Sequence, residues 1–344
     1  MTQDALDLAA VAAFLVARHG DALCDATIDI RPIQGGLCSD VALITARLRG
    51  GARPRRVALV AKLARGATAR EVTVYRRLSS SVARRFSPEL LGAQRLGRRR
   101  WLLFLERIVP AHPWPWTDSA HTARVLDQLA RFHGETATGA PLPAWDYEAE
   151  NLAAARSTLS LAERVPRDEV PALARALPAL RRVVAALPVM RRQLLAFQPL
   201  GSAVIHGDVH PGNVMIRRRG GVAEPVLLDW ARARVGSPLE DVSAWLQALG
   251  YWEPEARRRH DTLLGGYLAA RGLSPALTRP LRDAYWFAAA SNALAGALGY
   301  HLSLLLAGAG AAGQPGAAPE ARAAAARNAA DWLRVIRRAD ACWS

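Results

Sequence analysis

The sequence predicts an α+β protein with two lobes, a small one built on a five-stranded antiparallel sheet plus one helix and a large, mainly helical one. Three observations predict it. Five strand-like runs fall within the first 108 residues, a proline-rich stretch follows them, and from Thr117 onward the apolar spacing is almost wholly helical. At 344 residues the chain is long for one domain and comfortable for two, and its 51% hydrophobic content can bury a sizeable core.

The elements follow in order. The first apolar run, Leu6–Ala17, has helical spacing and stops at Gly20, which gives a leading helix over residues 3–19. That run is too short to span a bilayer and lacks the basic flank of a secretion signal, so a cytoplasmic protein with no membrane partner is expected. Thr27–Ile33 and Leu37–Leu48 read as strands around a Gly35-Gly36 turn, and Arg56–Leu63 as a third strand. Thr68–Leu78 has helical spacing, with Val72, Tyr75 and Leu78 on one face. Leu90–Leu96 and Trp101–Ile108 are two more strands joined by a turn at Gly97 and Arg98. Residues 1–108 thus form the small lobe. Residues 109–117, stiffened by Pro110, Pro113 and Pro115, form a connector, and residues 118–344 form the helical lobe. Within that lobe lie a strand-like patch from Val204 to Leu228, a Gly/Ala-rich stretch at Ala307–Ala318 and a last helix over Pro319–Arg338.

Composition removes several function classes. The three cysteines, Cys24, Cys38 and Cys342, form no close pair, which argues against a disulfide framework or a zinc site. The net charge of +15 invites a polyanion partner, yet the basic runs at Arg84–Arg85, Arg98–Arg100, Arg217–Arg219 and Arg257–Arg259 are scattered. None is interleaved with the aromatic or glycine pattern of a nucleic-acid-binding module, so no nucleic acid is expected. Attraction for nucleotides is the safer reading of the charge.

Of the 45 basic residues, 44 are arginine and one is lysine, Lys62. A chain that fills nearly every cationic position with arginine keeps lysine where a compact point charge is needed rather than a wide planar one. The P-loop option is closed, because Lys62 lies between Ala61 and Leu63 rather than in Gly-Lys-Ser/Thr. A Schiff-base lysine stays open. The run Val57–Leu63 is a buried strand with a charge near its end, which matches the strand whose lysine reaches nucleotide phosphates in kinases.

The decisive segment is His206-Gly207-Asp208-Val209-His210-Pro211-Gly212-Asn213, of the form H-x-D-x-x-x-x-N. Downstream, Val226–Leu228 is an apolar strand that ends at Asp229. The Gly220-Gly221 turn between them makes a hairpin that returns Asp229 to Asn213. Phosphoryl transfer wants these residue types. Hard Mg²⁺ prefers oxygen ligands, which an aspartate and an asparagine supply, and a second carboxylate held clear of the metal can take the acceptor's proton.

This block resembles the catalytic-loop motif of the aminoglycoside phosphotransferase and choline kinase superfamily, H-G-D-x-H-x-x-N followed by I/L-D-W/F. The similarity runs from about Thr27 to Leu249. It implies a protein-kinase-like fold and an ATP-dependent kinase of a small hydroxyl-bearing molecule, with ATP or GTP as donor and two Mg²⁺ ions. It implies Asp208 as catalytic base, Asn213 and Asp229 as magnesium ligands, and Lys62 on the phosphates with Glu71 as its ion-pair partner. By the same resemblance His210 has a γ-phosphate-contacting role, His206 packs the loop, and Asp241 steadies it. Gly35, Gly36 and Ser39 occupy the nucleotide-loop position, although the G-x-G-x-x-G of protein kinases is absent. Leu105 and Arg107 fall where a hinge grips adenine through its main chain, and His133 belongs to a helix resembling the family's L-A-x-L-H.

A protein kinase is not indicated, since D-F-G, A-P-E and an activation segment are missing. A nucleotide-binding pseudokinase scaffold would have lost Lys62, Asp208, Asn213 or Asp229, and all four are present. The acceptor is read more coarsely. Ala140–Leu200 holds six carboxylates and eight arginines, which does not announce a cleft for a polycation, although Asp146, Glu148 and Glu150 cluster beside Trp145 and Tyr147. Those rings, with Trp245, Trp252 and Trp286, would suit a cation–π box for a choline-like amine. An aminoglycoside or related antibiotic is the first expectation, and choline, homoserine or a sugar stands as the alternative.

Overall fold

The computed structural model describes residues 8–33, 40–49, 55–79, 85–116, 118, 120–136, 142–252, 254–307 and 319–343. Helix α1 (Leu8–His19) leads into β1 (Leu23–Ile33), β2 (Asp40–Leu48) and β3 (Arg55–Arg65). Helix α2 (Glu71–Ser79), β4 (Leu90–Gly97) and β5 (Arg100–Glu106) follow. Beyond them come α3 (Ala120–Glu135), α4 (Ala153–Arg164), α5 (Ala172–Ala196), β6 (Ala203–Ile205), β7 (Val214–Arg219), β8 (Val222–Leu227) and β9 (Arg234–Gly236). The described chain is completed by α6 (Pro238–Trp252), α7 (Pro254–Arg258), α8 (His260–Ala270), α9 (Arg279–Asn292), α10 (Leu298–Ala307) and α11 (Pro319–Trp343). It packs into two compact units. The first is formed by Met1–Gln128, Thr138–Pro143 and His206–Ala233, and the second by Leu129–Ala137, Ala144–Ile205 and Arg234–Ser344.

The first unit carries the expected five-stranded sheet, ordered β1-β2-β3-β5-β4 with every neighbouring pair antiparallel, and α2 follows its third strand as the helical spacing predicts. Side chains alternate across a strand, so the apolar set on β3 decides where everything else on that strand points. Leu59, Ala61 and Leu63 pack into a core with Ala10, Val11 and Leu15 of α1. Lys62 therefore lies on the opposite face of the sheet, aligned with Val41 of β2 and Leu103 of β5. On the α1 side, Phe14 stacks on Phe104 at 3.8 Å between ring centroids. Gly92 of β4 makes room for that ring, because a Cβ there would stand 2.5 Å from it.

The second unit is mainly helical. Helix α11 packs on α5, α9 and α10, and α6 packs on α9, burying Trp245, Tyr285 and Trp332. Two turns of π-helix, Glu148–Leu152 and Ala293–Ala297, pack against each other, and Thr158 donates to the Leu294 carbonyl at 2.9 Å. Helical spacing does not anticipate these wider turns. Other boundaries also shift. The patch expected over Val204–Leu228 divides into β6, β7 and β8, and its partner β9 is three residues long, too short to show a period. The last helix runs on to Trp343. Gly35, Gly36 and Ser39 lie outside the described residues, and so do residues 308–318 and the side chain of Trp252. Among the described residues, no helix is long and apolar enough to cross a membrane.

Substituting Gly92 with alanine should cost about 1–3 kcal/mol, as overpacking of a filled core does. The clash partner is a single ring, so the same change in a Phe14→Ala background should cost much less, a coupling that thermal melts of the four chains measure.

Candidate active site

Helix α2 begins at Glu71, and its carboxylate reaches across to Lys62 on the sheet face away from α1. The Lys62 ammonium lies 3.0 Å from one Glu71 oxygen and 2.8 Å from the other. It lies 2.8 Å from Oδ1 of Asp229 as well. Lys62 and Glu71 are buried, whereas the Asp229 side chain keeps 35% of its surface exposed. Burial disfavours the ammonium, but the two carboxylates outweigh it and raise its pKa above the ordinary lysine value. Burial likewise opposes the charge of Asp229, and Lys62 overcomes it, holding that carboxyl below its usual range. Glu71 is buried completely and lies near Asp229 as well as Lys62. Its carboxyl is pushed up to about 7, chiefly by loss of water and against the pull of Lys62.

Asp229 arrives there by way of a hairpin. Strands β7 and β8 pair from Val214 with Leu227 to Arg219 with Val222, and Gly220 and Gly221 turn between them with φ of +56° and +84°. The pairing continues one step further, as the Leu228 amide donates to the Asn213 carbonyl at 2.8 Å. Asn213 and Asp229 are thereby brought side by side along the backbone, as the two glycines and the apolar strands predict. Asp229 itself adopts a left-handed conformation with φ of 61°, which L side chains take at a cost of about 1–3 kcal/mol. The next amide, that of Trp230, donates to Glu71 at 3.1 Å.

The loop before the hairpin is pinned by its own polar groups. His206 is fully buried, with Nε2 2.7 Å from the Leu228 carbonyl and Nδ1 accepting the Asp208 amide at 3.3 Å. A carbonyl only accepts, so Nε2 carries the proton and the tautomer is settled. Its ring also meets the edge of Trp230 at 4.6 Å. Gly207, with φ of +79°, lets the chain turn so that Asp208 stands half-buried. Nδ2 of Asn213 donates to the Asp208 carbonyl at 3.0 Å and to its carboxylate at 3.4 Å. With the amide nitrogen committed there, Oδ1 of Asn213 is the atom left to bind something else. His210 accepts the Gly212 amide at 3.1 Å through Nδ1 and so caps the short turn Pro211–Asn213.

Other expected site residues are placed elsewhere. Leu105 is buried within the sheet, aligned with Val60 and Leu90, and Arg107 lies exposed just past the strand. The amide of Glu106, between them, donates to Glu89 at 2.8 Å. In the second unit the Asp241 carboxylate pairs with Nε2 of His133 at 3.0 Å, while Nδ1 of that ring lies 2.9 Å from the Tyr267 hydroxyl. Burial lowers the pKa of His133, so the bond to Asp241 is that of a neutral ring. One participant was not foreseen. Arg70, beside Glu71, donates to the carbonyls of Ala231 at 3.1 Å, Ala233 at 2.7 Å and Pro143 at 2.9 Å, clamping the segment after Asp229. No local pattern marks such a residue in a chain with 44 arginines.

The described rings that would suit a cation–π box lie against groups of the chain itself, and the side chain of Trp252 is outside the described residues. The guanidinium of Arg191 lies 4.3 Å over the Tyr147 ring and that of Arg234 lies 5.0 Å over Trp145. Trp245 is fully buried, and Trp286 lies parallel to the ring of His260 at 6.0 Å. These faces already hold the chain's own groups.

The model of the phosphotransferase enzyme family matches residues 29–283, well over half of the sequence. The chain belongs to that family. Members of this phosphotransferase family move phosphate to hydroxyl groups of small molecules. Solved structures agree on the protein-kinase-like fold. A choline kinase from Cryptosporidium parvum Iowa II superposes with a TM-score of 0.64 at 10% identity, covering 96% of each chain. An aminoglycoside phosphotransferase from Streptomyces rimosus, solved with ADP and streptomycin, gives a TM-score of 0.54 at 19% identity, over 85% of this chain and 99% of its own. A microcompartment-associated aminopropanol kinase gives 0.56 at 15% identity, over 96% and 97%. No curated protein gave a match.

Replacing Lys62 with methionine would leave Glu71 and Asp229 facing each other without a cation. In the native protein, Asp229 has a depressed pKa and so adds stability above its unfolded value, lost as the pH falls through the folded one. Without the ammonium the sign inverts, and both carboxyls destabilise the fold until they are protonated. The loss should be about 2–3 kcal/mol near pH 8 and smaller near pH 5, allowing for the exposure of Asp229. Urea unfolding at the two pH values measures it.

Proposed function

We propose that this phosphotransferase moves the γ-phosphate of ATP to a hydroxyl of a small molecule, with Asp208 as the base. One observation carries the reading: Lys62, Glu71 and Asp229 form an ion-paired triad in the same unit as a loop that presents Asp208 and the amide oxygen of Asn213. Lys62 would contact the α- and β-phosphates, and Glu71 would hold it in place. Gly35, Gly36 and Ser39 would cover the phosphates, Leu105 and Arg107 would meet adenine, and Nε2 of His210 would face the γ-phosphate. His206 would keep the loop in shape. Asp241 would steady that loop, with its own orientation set by His133.

The residues present fit magnesium. Asp229 is kept anionic and partly exposed, and Asn213 has its nitrogen turned to Asp208 and its oxygen left over. Among the described residues no three His, Cys, Asp or Glu side chains converge as a metal cage. Mg²⁺ suits such a site, since it takes one or two protein oxygens and completes its shell with phosphate oxygens and water. Bound there, two Mg²⁺ ions would neutralise the phosphate charge. Asp208, hydrogen-bonded through Asn213 and anchored by His206, would orient the acceptor hydroxyl and receive its proton.

For the acceptor, an aminoglycoside or related antibiotic is the first class, with a metabolite alcohol as the second. Of the six carboxylates over Ala140–Leu200, Glu163 is paired with Arg181, Glu169 with Arg322, and Asp146 caps the Ala149 amide. Glu148 and Glu150 make no such bond among the described residues, which leaves two carboxylates that amines of an acceptor could meet. The guanidiniums over Tyr147 and Trp145 weigh against a quaternary amine at those rings.

Asp208→Ala should lower kcat about 10²–10⁴-fold with the fold retained, and Asp229→Ala should lower it at least as far. ADP release, measured with each of a panel of aminoglycosides, choline, homoserine and sugars, finds the acceptor and then tests the pair. Two variants that turn over at the native rate would overturn the assignment.

A further inference from the structure

Gly66–Arg70 form a short turn of 3₁₀-helix between β3 and α2, so Arg70 closes that turn and Glu71 opens the helix. Both elements pack on the turn Trp230–Arg232, which follows Asp229 directly. The two neighbouring side chains hold that turn through opposite groups. The Glu71 carboxylate accepts the Trp230 amide at 3.1 Å. The Arg70 guanidinium can only donate, and one of its nitrogens reaches the Ala231 carbonyl at 3.1 Å and the Ala233 carbonyl at 2.7 Å. A short turn leaves its last carbonyls without partners inside it, and a cation answers that need. The other terminal nitrogen donates to Pro143 at 2.9 Å, so three carbonyls fix the plane of the guanidinium. All these residues belong to the first unit.

Ala231 links this clamp to Asp229. Its carbonyl is held by Arg70, and its amide donates to Oδ1 of Asp229 at 3.4 Å. The Lys62 ammonium contacts the same oxygen at 2.8 Å. Both contacts are made by Oδ1, and Oδ2 is the oxygen left to offer. The backbone of Asp229 is left-handed, a conformation that persists in a residue other than glycine only where its surroundings over-determine it. Before Asp229 the chain is fixed by the Leu228 amide on the Asn213 carbonyl. After it, Glu71 and Arg70 supply the restraint. Removing the guanidinium takes away the donors of two carbonyls in that segment and frees the turn that orients the carboxylate.

We propose that Arg70 is a positioning residue for the cation that Asp229 would hold. By gripping Ala231 and Ala233 it fixes the turn whose amide orients the Asp229 carboxylate, and so presents Oδ2 to the metal. The inference rests on Asp229 as a magnesium ligand. Mn²⁺ binding in the presence of ADP, followed by electron paramagnetic resonance, tests it without any acceptor. Arg70→Ala should weaken that binding about 10–100-fold, as loss of a group that orients a metal ligand does. Arg70→Lys keeps the charge but cannot bond three carbonyls at once, so it should shift the affinity in the same direction, and it serves if the alanine variant does not fold. In the metal-free Arg70→Ala chain, hydrogen exchange should show the amides of Trp230, Ala231 and Ala233 losing protection while those of β7 and β8 keep theirs. Gly92→Ala, which disturbs a different part of the same unit, should bind Mn²⁺ as the native chain does, and this separates positioning from a general loss of stability. The proposal fails if both Arg70 variants bind Mn²⁺ as tightly as the native chain, if affinity falls with the turn still protected, or if Gly92→Ala weakens binding equally. Should Asp229→Ala itself bind Mn²⁺ like the native chain, the magnesium reading of that carboxylate is what has failed, and the proposal falls with it.

Discussion

Lys62 brings together groups that the sequence keeps far apart. Its ammonium touches Glu71, nine residues on, and Asp229, which follows the last hairpin of the same unit. Burial of Lys62 and Glu71 beside the partly exposed Asp229 is costly, and such clusters contribute little net stability compared with apolar packing. What they do is exclude alternatives. Each oxygen must find its partner, so β3, the start of α2 and the turn at Asp229 meet at a single point. The Trp230 amide on Glu71 and the Arg70 guanidinium on the Ala231 and Ala233 carbonyls hold the same turn from both sides. The face of the sheet is set by apolar residues. Because Leu59, Ala61 and Leu63 seek α1, Lys62 must point away from it, and a slip of one residue would send the ammonium into the apolar core.

The loop from His206 to Asn213 follows a similar logic with neutral groups. His206 ties the loop to the hairpin through one nitrogen and to the Asp208 amide through the other. Asn213 then closes the loop on Asp208. These bonds are short-range, and each restrains the position of one carboxylate. The left-handed backbone of Asp229 is the local cost, and it places the carboxylate within 2.8 Å of the Lys62 ammonium. Strain of this kind at the end of an apolar strand places a charged side chain where a regular strand would not.

Residues constrained by chemistry were the legible ones. A lone lysine among arginines, an aspartate in H-x-D-x-x-x-x-N, and an aspartate after an apolar strand have few other uses at those spacings, and the structure gathers them in one unit. Glu71 was legible through the family resemblance, which places an ion-pair partner for Lys62 on the helix after the third strand, and the structure pairs the two. The partners of the backbone were not. Nothing local announces that Arg70 reaches carbonyls more than 160 residues away or that a tryptophan amide completes Glu71. The same holds for β9, a three-residue strand defined by its pairing with β6, and for two π-helical turns that pack on each other. Tryptophan and tyrosine spacing suited core packing as well as a box for a cationic ligand, and Trp145 and Tyr147 do carry cations on their faces. The cations are internal.

That last point reaches the question of charge. A net charge of +15 suggests a surface built to attract, and most arginines of the second unit are exposed, yet a few lie against neighbouring rings and carboxylates. Arg234 is buried, pairs with Glu240 and covers Trp145, and Arg191 covers Tyr147 while approaching Glu240 at 3.8 Å. Arg182 grips both oxygens of Asp340 and so joins α5 to α11. A guanidinium can stack on a ring and bond a carboxylate at once, which an ammonium does less well, so arginine serves here as a structural clamp between helices. Lys62 is the converse. A point contact to two carboxylates at 2.8 Å leaves no room for a planar fork, and a chain that otherwise prefers arginine therefore keeps its lysine where the geometry demands a single nitrogen.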